Sequence, residues 1–361
     1  MKICVAVSSG VDSTACLVLL KNQGYDLIAV NMVLSETNEC ISDDTLNSKV
    51  CCGINGRLQI RNVCRTLGIP FYSLDLKTEF KQKVIEPFVK GYYKGQTRNP
   101  CVDCNTFIKF EALFDFADQH GCDMVATGHY AKIKDDLLYR ATNRNKDQSY
   151  YLSLIQRDRL ARIVFPLQDF KTKQDVRDVL TEAGFPEVAQ KKESQGICFV
   201  QNGDYRSVLE RYKPKNTPVL GSGSILNQSN QTIGQHGGIE NYTVGQRVGI
   251  NGQRKYVFQI RSSDNSLVVS DTRPKSNQLT IKDINWLLPF KMVQVFLKNP
   301  DHKLTVKIRS FCEYEVESFS PLTPDESSAI VTLKVEALAI TPGQTVTIYY
   351  GELVLGGSFV S

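Results

Sequence analysis

Val5-Ala6-Val7-Ser8-Ser9-Gly10-Val11-Asp12-Ser13 is the stretch on which the reading of the chain turns. An apolar run from Ile3 to Val7 stops at a Ser/Gly loop, and apolar residues at Ala15, Cys16, Leu19 and Leu20 follow at helical spacing. The pattern predicts strand, tight loop, helix. In such a unit the loop N–H groups and the helix N-terminus face one point, which suits a phosphate. An ordinary turn capped by Ser8 or Ser13 is the simpler alternative. The loop has neither the Lys-Ser/Thr ending of the common P-loop nor a G-x-G-x-x-G fingerprint.

Working outward, residues 27–34 form a second apolar run, and Gly24 before them suits a helix C-terminus. Ile60, Val63, Cys64 and Leu67 share one helix face ahead of Gly68 and Pro70, and residues 71–76 read as a third strand. Helices are expected around 80–93 and 106–120, and a fourth strand over 123–127. Alternating strands and helices predict an α/β fold with a doubly wound parallel sheet and its ligands at the carboxyl ends of the strands. Ser8 to Ser13, Met32 and Thr127-Gly128-His129 then share one rim.

The whole chain has 361 residues, enough for two or three domains, and is 42% hydrophobic. It has no apolar stretch of membrane-spanning length, and its first strand starts too early to leave room for a signal peptide, so a cytoplasmic location without membrane partners is expected. Eleven cysteines in that setting read as core residues, reactive thiols or metal ligands before disulfides. A net charge of +5 is compatible with RNA as a partner but falls short of a dedicated nucleic-acid binder.

Cys40, Cys51 and Cys52 lie in a polar break that reads as a loop, with a metal site as the alternative. Further on, Asn99-Pro100 forces a turn, and Cys104 is expected just before a helix whose dipole would lower its thiol pKa. Cys101 and Cys104, spaced C-x-x-C, suit a redox pair, two ligands of a metal or iron–sulfur site, or a nucleophile with a bystander. Arg157, Arg159, Arg162, Lys171, Lys173, Arg177, Lys191 and Lys192 make the densest basic region, either a solvated face or an RNA groove. Past Gly203, short β-like runs broken by Gly, Asn and Ser replace helical spacing. They predict a small mixed or β domain over 204–277, and runs at 293–297, 304–308, 329–337 and 345–350 predict a β-barrel over 278–361.

Ser8-Ser9-Gly10-Val11-Asp12-Ser13 resembles the S-G-G-V-D-S loop of the N-type ATP pyrophosphatases, with Ser9 in place of a glycine where a side chain threatens a clash or a strained positive φ. Residues 97–110, 126–131, 146–150 and 194–199 follow in the order seen in the tRNA-specific 2-thiouridylases, which the chain resembles over essentially its whole length. The resemblance implies a catalytic domain over residues 1–203 and ATP-dependent 2-thiolation of the wobble uridine of tRNA, releasing AMP and pyrophosphate. It implies that Ala6, Val7, Ser8, Ser9, Gly10, Val11, Asp12, Ser13, Met32 and Gly128 bind ATP, with Mg²⁺ near Asp12. Cys104 matches the family's nucleophile and Cys198 its persulfide carrier, loaded by a sulfur-donor protein such as a cysteine desulfurase or a relay carrier. Asn99, Pro100, Cys101, Lys146, Asp147, Gln148, Arg309 and Ser310 fall where the family contacts tRNA. Cys101 stands where the best-known members have Asp, so an iron–sulfur cluster on Cys101, Cys104 and Cys198 is the alternative to the persulfide route. Two rival readings remain: a ligase that uses the same loop on a small substrate, and a non-catalytic tRNA-binding relative.

Overall fold

A computed structural model describes residues 1–35, 54–192, 196–200, 203–213, 221–299, 304–323 and 326–361. Cys40, Cys51, Cys52, Ser194 and Gln195 lie outside the described residues. The chain divides into two compact units, one of Met1–Lys83, Asp103–Gln201 and Glu352–Val354, the other of Val84–Val102, Asn202–Gly351 and Leu355–Ser361.

In the first unit β1 (Lys2–Val7), β2 (Asp26–Val33), β3 (Phe71–Asp75) and β4 (Met124–Ala126) are the long-range frame; β5 (Lys132–Lys134) and β6 (Leu137–Tyr139) pair as a hairpin, and β7 is Ile163–Val164. The five-stranded parallel sheet has the order β3-β2-β1-β4-β7. Ile3, Cys4 and Val5 are buried in succession, as expected for a parallel strand covered on both faces. Helix α1 (Val11–Asn22) is also apolar nearly all round, with Ala15, Leu17, Val18 and Leu20 in the core. It ends with Gly24 at φ +81°, a backbone state that glycine adopts without a Cβ penalty. Helix α2 (Ile54–Thr66) packs Ile60, Val63 and Cys64 into the same core. Chain order reverses between β1 and β4, so the crevice at their carboxyl ends is the natural ligand position.

Two helical stretches carry π-type insertions: Lys81–Ile85 lies between Lys77–Phe80 and Glu86–Tyr93, and Asn105–Phe110 lies between Pro100–Cys104 and Glu111–Gln119. The second stretch starts at Pro100, well before the expected residue 106. Proline at a first helical position loses no hydrogen bond and has its φ already set, and Asn99 Oδ1 accepts from Cys101 N at 3.1 Å.

The second unit holds a sheet in the order β10-β11-β12-β8-β9, built from β8 (Gly223–Leu226), β9 (Thr232–His236), β10 (Arg247–Ile250), β11 (Gln253–Arg261) and β12 (Ser266–Ser270). Its small core is Ile225, Ile239, Ile250, Leu267 and Val269. Six strands follow: β13 (Lys275–Trp286), β14 (Leu304–Arg309), β15 (Cys312–Pro321), β16 (Ser328–Leu338), β17 (Thr345–Tyr350) and β18 (Leu353–Val360). They run in the order β13-β16-β15-β14-β17-β18, and β13 pairs β18 through Ile281 and Val360 to close a barrel. Closure removes the sheet edges. One expected strand is instead the helix Phe290–Lys298. Pro289 caps it, and Phe290, Val293 and Leu297 recur at helical spacing with Val293 fully buried, so the short apolar run at 293–297 was one stripe of a helix.

Candidate active site

The loop after β1 folds on its own hydroxyls. Ser8 N donates to Ser13 Oγ at 3.0 Å, Gly10 N donates to Ser8 Oγ at 3.2 Å, and Ser13 Oγ donates to Ser8 O at 3.1 Å. The residue that caps α1 is Gly10, which supplies no side-chain bond. The Ser-capped turn is therefore not what forms. Ser8 and Ser13 shape the loop, and the first turn of α1 carries no capping side chain, the arrangement that an anion at a helix N-terminus needs. Ser9 brings none of the expected strain: it is buried, is absent from the residues with positive φ, and its carbonyl accepts from Lys191 Nζ at 2.9 Å.

Gly128, two residues past β4, lies against this loop so closely that a Cβ there would stand 3.0 Å from Ser13 N and 3.2 Å from Asp12 Cβ. Only glycine leaves the loop undisturbed. The loop, Asn31, Met32, residues 127–130, Lys146 and Gln148 line a cavity of about 370 Å³, with Lys109, Lys173 and Lys192 contributing ammonium groups. Asn31, which the sequence reading passed over, is buried on β2 and donates from Nδ2 to Val7 O at 2.9 Å, while its Oδ1 has no partner among the described residues. A buried acceptor left unpaired costs about 1–3 kcal/mol, so a ligand or water that donates to it is favoured. Loop, glycine cradle and orphaned acceptor together fit an adenine nucleotide. Asp12 Oδ1 accepts from Tyr130 OH at 2.7 Å and from Lys173 Nζ at 2.6 Å, and Asp12 is the loop's one carboxylate.

His129 lines the same cavity. Its Nδ1 lies 2.8 Å from Thr127 Oγ1, and its ring stacks on Phe110 at 6.1 Å and 23°. Burial, reinforced by the Lys109 charge, pulls its pKa down to about 3, so it is a neutral wall at ordinary pH.

The two matched cysteines sit in opposite settings. Cys104 is buried at the end of Pro100–Cys104, inside a helical stretch and four residues past its first residue. Burial pushes its thiol pKa up, Asp103 adds to that and Lys109 opposes it. The expected lowering by a helix dipole is thus overturned, because Pro100 moves the helix start away from the thiol and the core desolvates it. Lys109, in the π-type turn, bonds Asn105 Oδ1 at 3.1 Å, and Asn105 Nδ2 donates to Tyr151 O at 3.1 Å. Cys198 is exposed in a turn after Gly196, which has φ +92°. Cys101 is half-buried. Among the described residues no three His, Cys, Asp or Glu side chains gather closely enough to hold a metal ion.

Of the three residues expected to contact tRNA near the loop, Asp147 is spent on structure: its Oδ1 accepts from Ala141 N and Ser149 N, and its Oδ2 from Ser149 Oγ. Gln148 Oε1 accepts from Tyr130 N at 2.9 Å, which fixes the side chain at the cavity wall beside Lys146. In the second unit Arg309 Nη2 donates to Ala339 O at 2.8 Å, and Ser310 begins the turn into β15. Part of the basic region turns inward, while Arg157, Lys171 and Lys192 are exposed. Arg162 bonds Asp118 at 2.6 Å, the guanidinium groups of Arg159 and Arg162 lie over the Phe114 ring, and Arg177 holds the carbonyls of Ala189 and Lys191.

The parallel sheet thus carries the Ser8–Ser13 loop and the Gly128 cradle at its switch point. The family described as tRNA methyl transferase HUP domain matches residues 1–202, its PRC-barrel domain 206–271, and the aminomethyltransferase β-barrel domain 276–360. The tRNA-specific 2-thiouridylase MnmA of Pseudothermotoga lettingae is 34% identical over 100% of this chain and 99% of its own, and that of Natranaerobius thermophilus is 37% identical over 99% and 97%. The chain belongs to the tRNA-specific 2-thiouridylase family. Among solved structures, a 4-thiouridine synthetase–RNA complex with bound ATP overlaps 58% of this chain and 50% of its own at 14% identity and a TM-score of 0.35.

Proposed function

We propose that this chain is an ATP-dependent tRNA 2-thiouridylase acting on the wobble uridine. The observation that carries the proposal is the cavity of about 370 Å³ lined by the Ser8–Ser13 loop, in a chain that relatives named for this activity match end to end. In the proposed reaction uridine O2 attacks the α-phosphorus of ATP, the bond to the β-phosphate breaks, and pyrophosphate leaves. The terminal sulfur of a Cys198 persulfide attacks C2 and AMP departs. Cys104, as thiolate, then attacks Cys198 Sγ, the S–S bond to the base breaks, and a Cys104–Cys198 disulfide remains beside the 2-thiouridine. A thiol reductant closes the cycle. Magnesium would be held by Asp12 and would neutralise phosphate charge.

Backbone N–H groups in the first turn of α1, behind the Ser8–Ser13 loop, hold phosphates, Met32 and Gly128 bound the adenosine, and Lys146 and Gln148 face the flipped base, which must leave the anticodon stack to be modified. Asn99, Pro100, Cys101, Arg309 and Ser310 are proposed to meet the tRNA, and Asp147 holds the turn that presents its neighbours. The exposure of Cys198 suits loading by a persulfide-bearing donor protein. We also place the chain in the cytoplasm and divide it at residues 203/204 and 277/278; no helix among the described residues is long and apolar enough to cross a membrane, the first two family matches fall inside the first two divisions, and the third, 276–360, starts two residues ahead of the last one. The test is nucleoside mass spectrometry of unmodified tRNA incubated with the protein, ATP, Mg²⁺ and a persulfide source. ATP-dependent 2-thiouridine is the expected result; pyrophosphate released without tRNA, and no thiouridine, would instead indicate a small-substrate ligase.

A further inference from the structure

Residues 96–99 connect the helix Glu86–Tyr93 to the helix Pro100–Cys104 and belong to no helix or strand themselves. A connection of that kind is ordinarily the least fixed part of a chain, yet a helix that carries a reacting thiol has to start in one place. We propose that Arg98 is a positioning residue for this helix: clamped on the last strand of the β-barrel, it fixes where Asn99-Pro100 begins the turn that carries Cys101 and leads to Cys104. The inference rests on the reading of Cys104 as a reacting thiol.

The clamp lies within the second compact unit. The Arg98 guanidinium carbon stands 4.9 Å from the centre of the Phe359 ring, on β18. Its stem runs between two glycines, since a Cβ on either Gly91 or Gly343 would stand 3.6 Å from Arg98 Cγ. Gly343 has φ +82°, and a Cβ there would also come to 3.0 Å from Gln96 Cβ, so this turn of the barrel is shaped to receive residues 96–98. The backbone repeats the contact: Thr97 N donates to Pro342 O at 2.9 Å, and Gln96 N donates to Gly91 O at 2.9 Å.

Both ends of this support are anchored. On the barrel side, Gly343 N donates to Val360 O and Val360 N donates to Gln344 O, each at 2.9 Å, and Val360 pairs with Ile281 at the seam that closes the barrel. On the helix side, Asn99 follows Arg98 directly; its Oδ1 accepts from Cys101 N at 3.1 Å and its carbonyl from Val102 N at 3.2 Å. Backbone bonds such as that of Thr97 can be made by any residue other than proline. The cation over the Phe359 ring comes from the Arg98 side chain, and that makes the register of the helix start depend on this residue.

Steady-state thiolation by the full chain, combined with carboxymethylation of Cys101 and Cys104 measured against Cys198, tests the inference. Arg98→Met keeps the stem and removes the cation. It is expected to lower kcat about tenfold, the scale of a small misplacement, with the KM for tRNA kept within about twofold. Cys101 and Cys104 should react several-fold faster relative to Cys198 as their helix loosens. Phe359→Leu should reproduce both changes, the double variant should add little to either, and Arg98→Lys, which keeps a cation over the ring, should recover most of kcat. A rise in KM with unaltered kcat and alkylation would make Arg98 a tRNA contact and overturn the assignment. Unchanged kcat and alkylation in Arg98→Met, or losses that add fully in the double variant, would overturn it as well. Wild-type protein that forms no thiouridine would overturn the reading of the activity, while the alkylation ratios, which need no substrate, would still decide whether the clamp sets the helix.

Discussion

Cys104 and Cys198 belong to the same compact unit but to opposite environments. Cys104 is 6% exposed within a helical stretch, its thiol pKa pushed up by burial; Cys198 is exposed in a turn behind a left-handed glycine. The difference matches two chemical duties. A sulfur carrier must be reached by a macromolecular donor, so it belongs on the surface. A thiol that resolves an S–S bond must stay idle until its target arrives, and burial keeps it protonated and unreactive. Lys109 is the local charge that favours its thiolate.

Four experiments would break or sharpen this contrast. The largest effect is expected from Cys198→Ser, which should reduce thiolation roughly 10⁴-fold or more, as loss of a nucleophile does, while tRNA binding measured by filter retention stays intact. A variant that thiolates normally removes Cys198 from the reaction. Next, Cys104→Ser should cut multiple turnover by roughly 10³-fold and trap tRNA on Cys198 as a reducible adduct on denaturing gels. Free thiouridine from that variant would show that Cys104 is not the resolving thiol.

Smaller in size, carboxymethylation at pH 7.5 followed by peptide mass spectrometry should find Cys198 reacting about tenfold or more faster than Cys104, since rate follows thiolate fraction and access. The Cys104 rate should climb further into the alkaline range than an ordinary thiol's, because its pKa is raised. Equal rates at both sites would erase the contrast. The smallest effect concerns the buried side alone. His129 stacks on Phe110, the end of the π-type turn that follows Cys104, and is neutral with a folded pKa of about 3. The unfolded chain binds a proton near pH 6.5 that the folded one refuses, so stability is full above that value and falls by about 1.4 kcal/mol per pH unit towards pH 3. Urea melts of wild type and His129→Gln should show this slope and its loss. Parallel slopes would place the titration elsewhere.

Legibility in the sequence follows the range of the interaction. Strand, loop and helix at residues 3–20 were readable because apolar spacing and Ser/Gly punctuation are local, and Met32 and Gly128 fell on the same rim once the parallel sheet was inferred. What Gly128 does was not readable, since its need to be glycine comes from a Cβ that would collide with Asp12 and Ser13 across the sheet. The start of the Cys104 helix was misplaced because Asn99-Pro100 was read only as a turn, although proline also opens helices. The run 293–297 showed too few residues to separate period 2 from period 3.6. Basic residues 157–192 left a solvated face and an RNA groove both open because charge density carries no direction, and Lys173, Arg177 and Lys191 point at Asp12, at backbone carbonyls and at Ser9 only after the helix Lys173–Glu182 packs on α1.

The account stands most directly on how sulfur leaves the protein. Single-turnover reactions under anaerobic conditions, with persulfide loaded on Cys198 and no added reductant, allow the Cys104–Cys198 disulfide to be counted by non-reducing peptide mass spectrometry against the 2-thiouridine formed. A disulfide appearing in step with each thiouridine is the predicted result. Thiouridine formed while both thiols remain reduced would contradict the division of labour between the buried and the exposed cysteine.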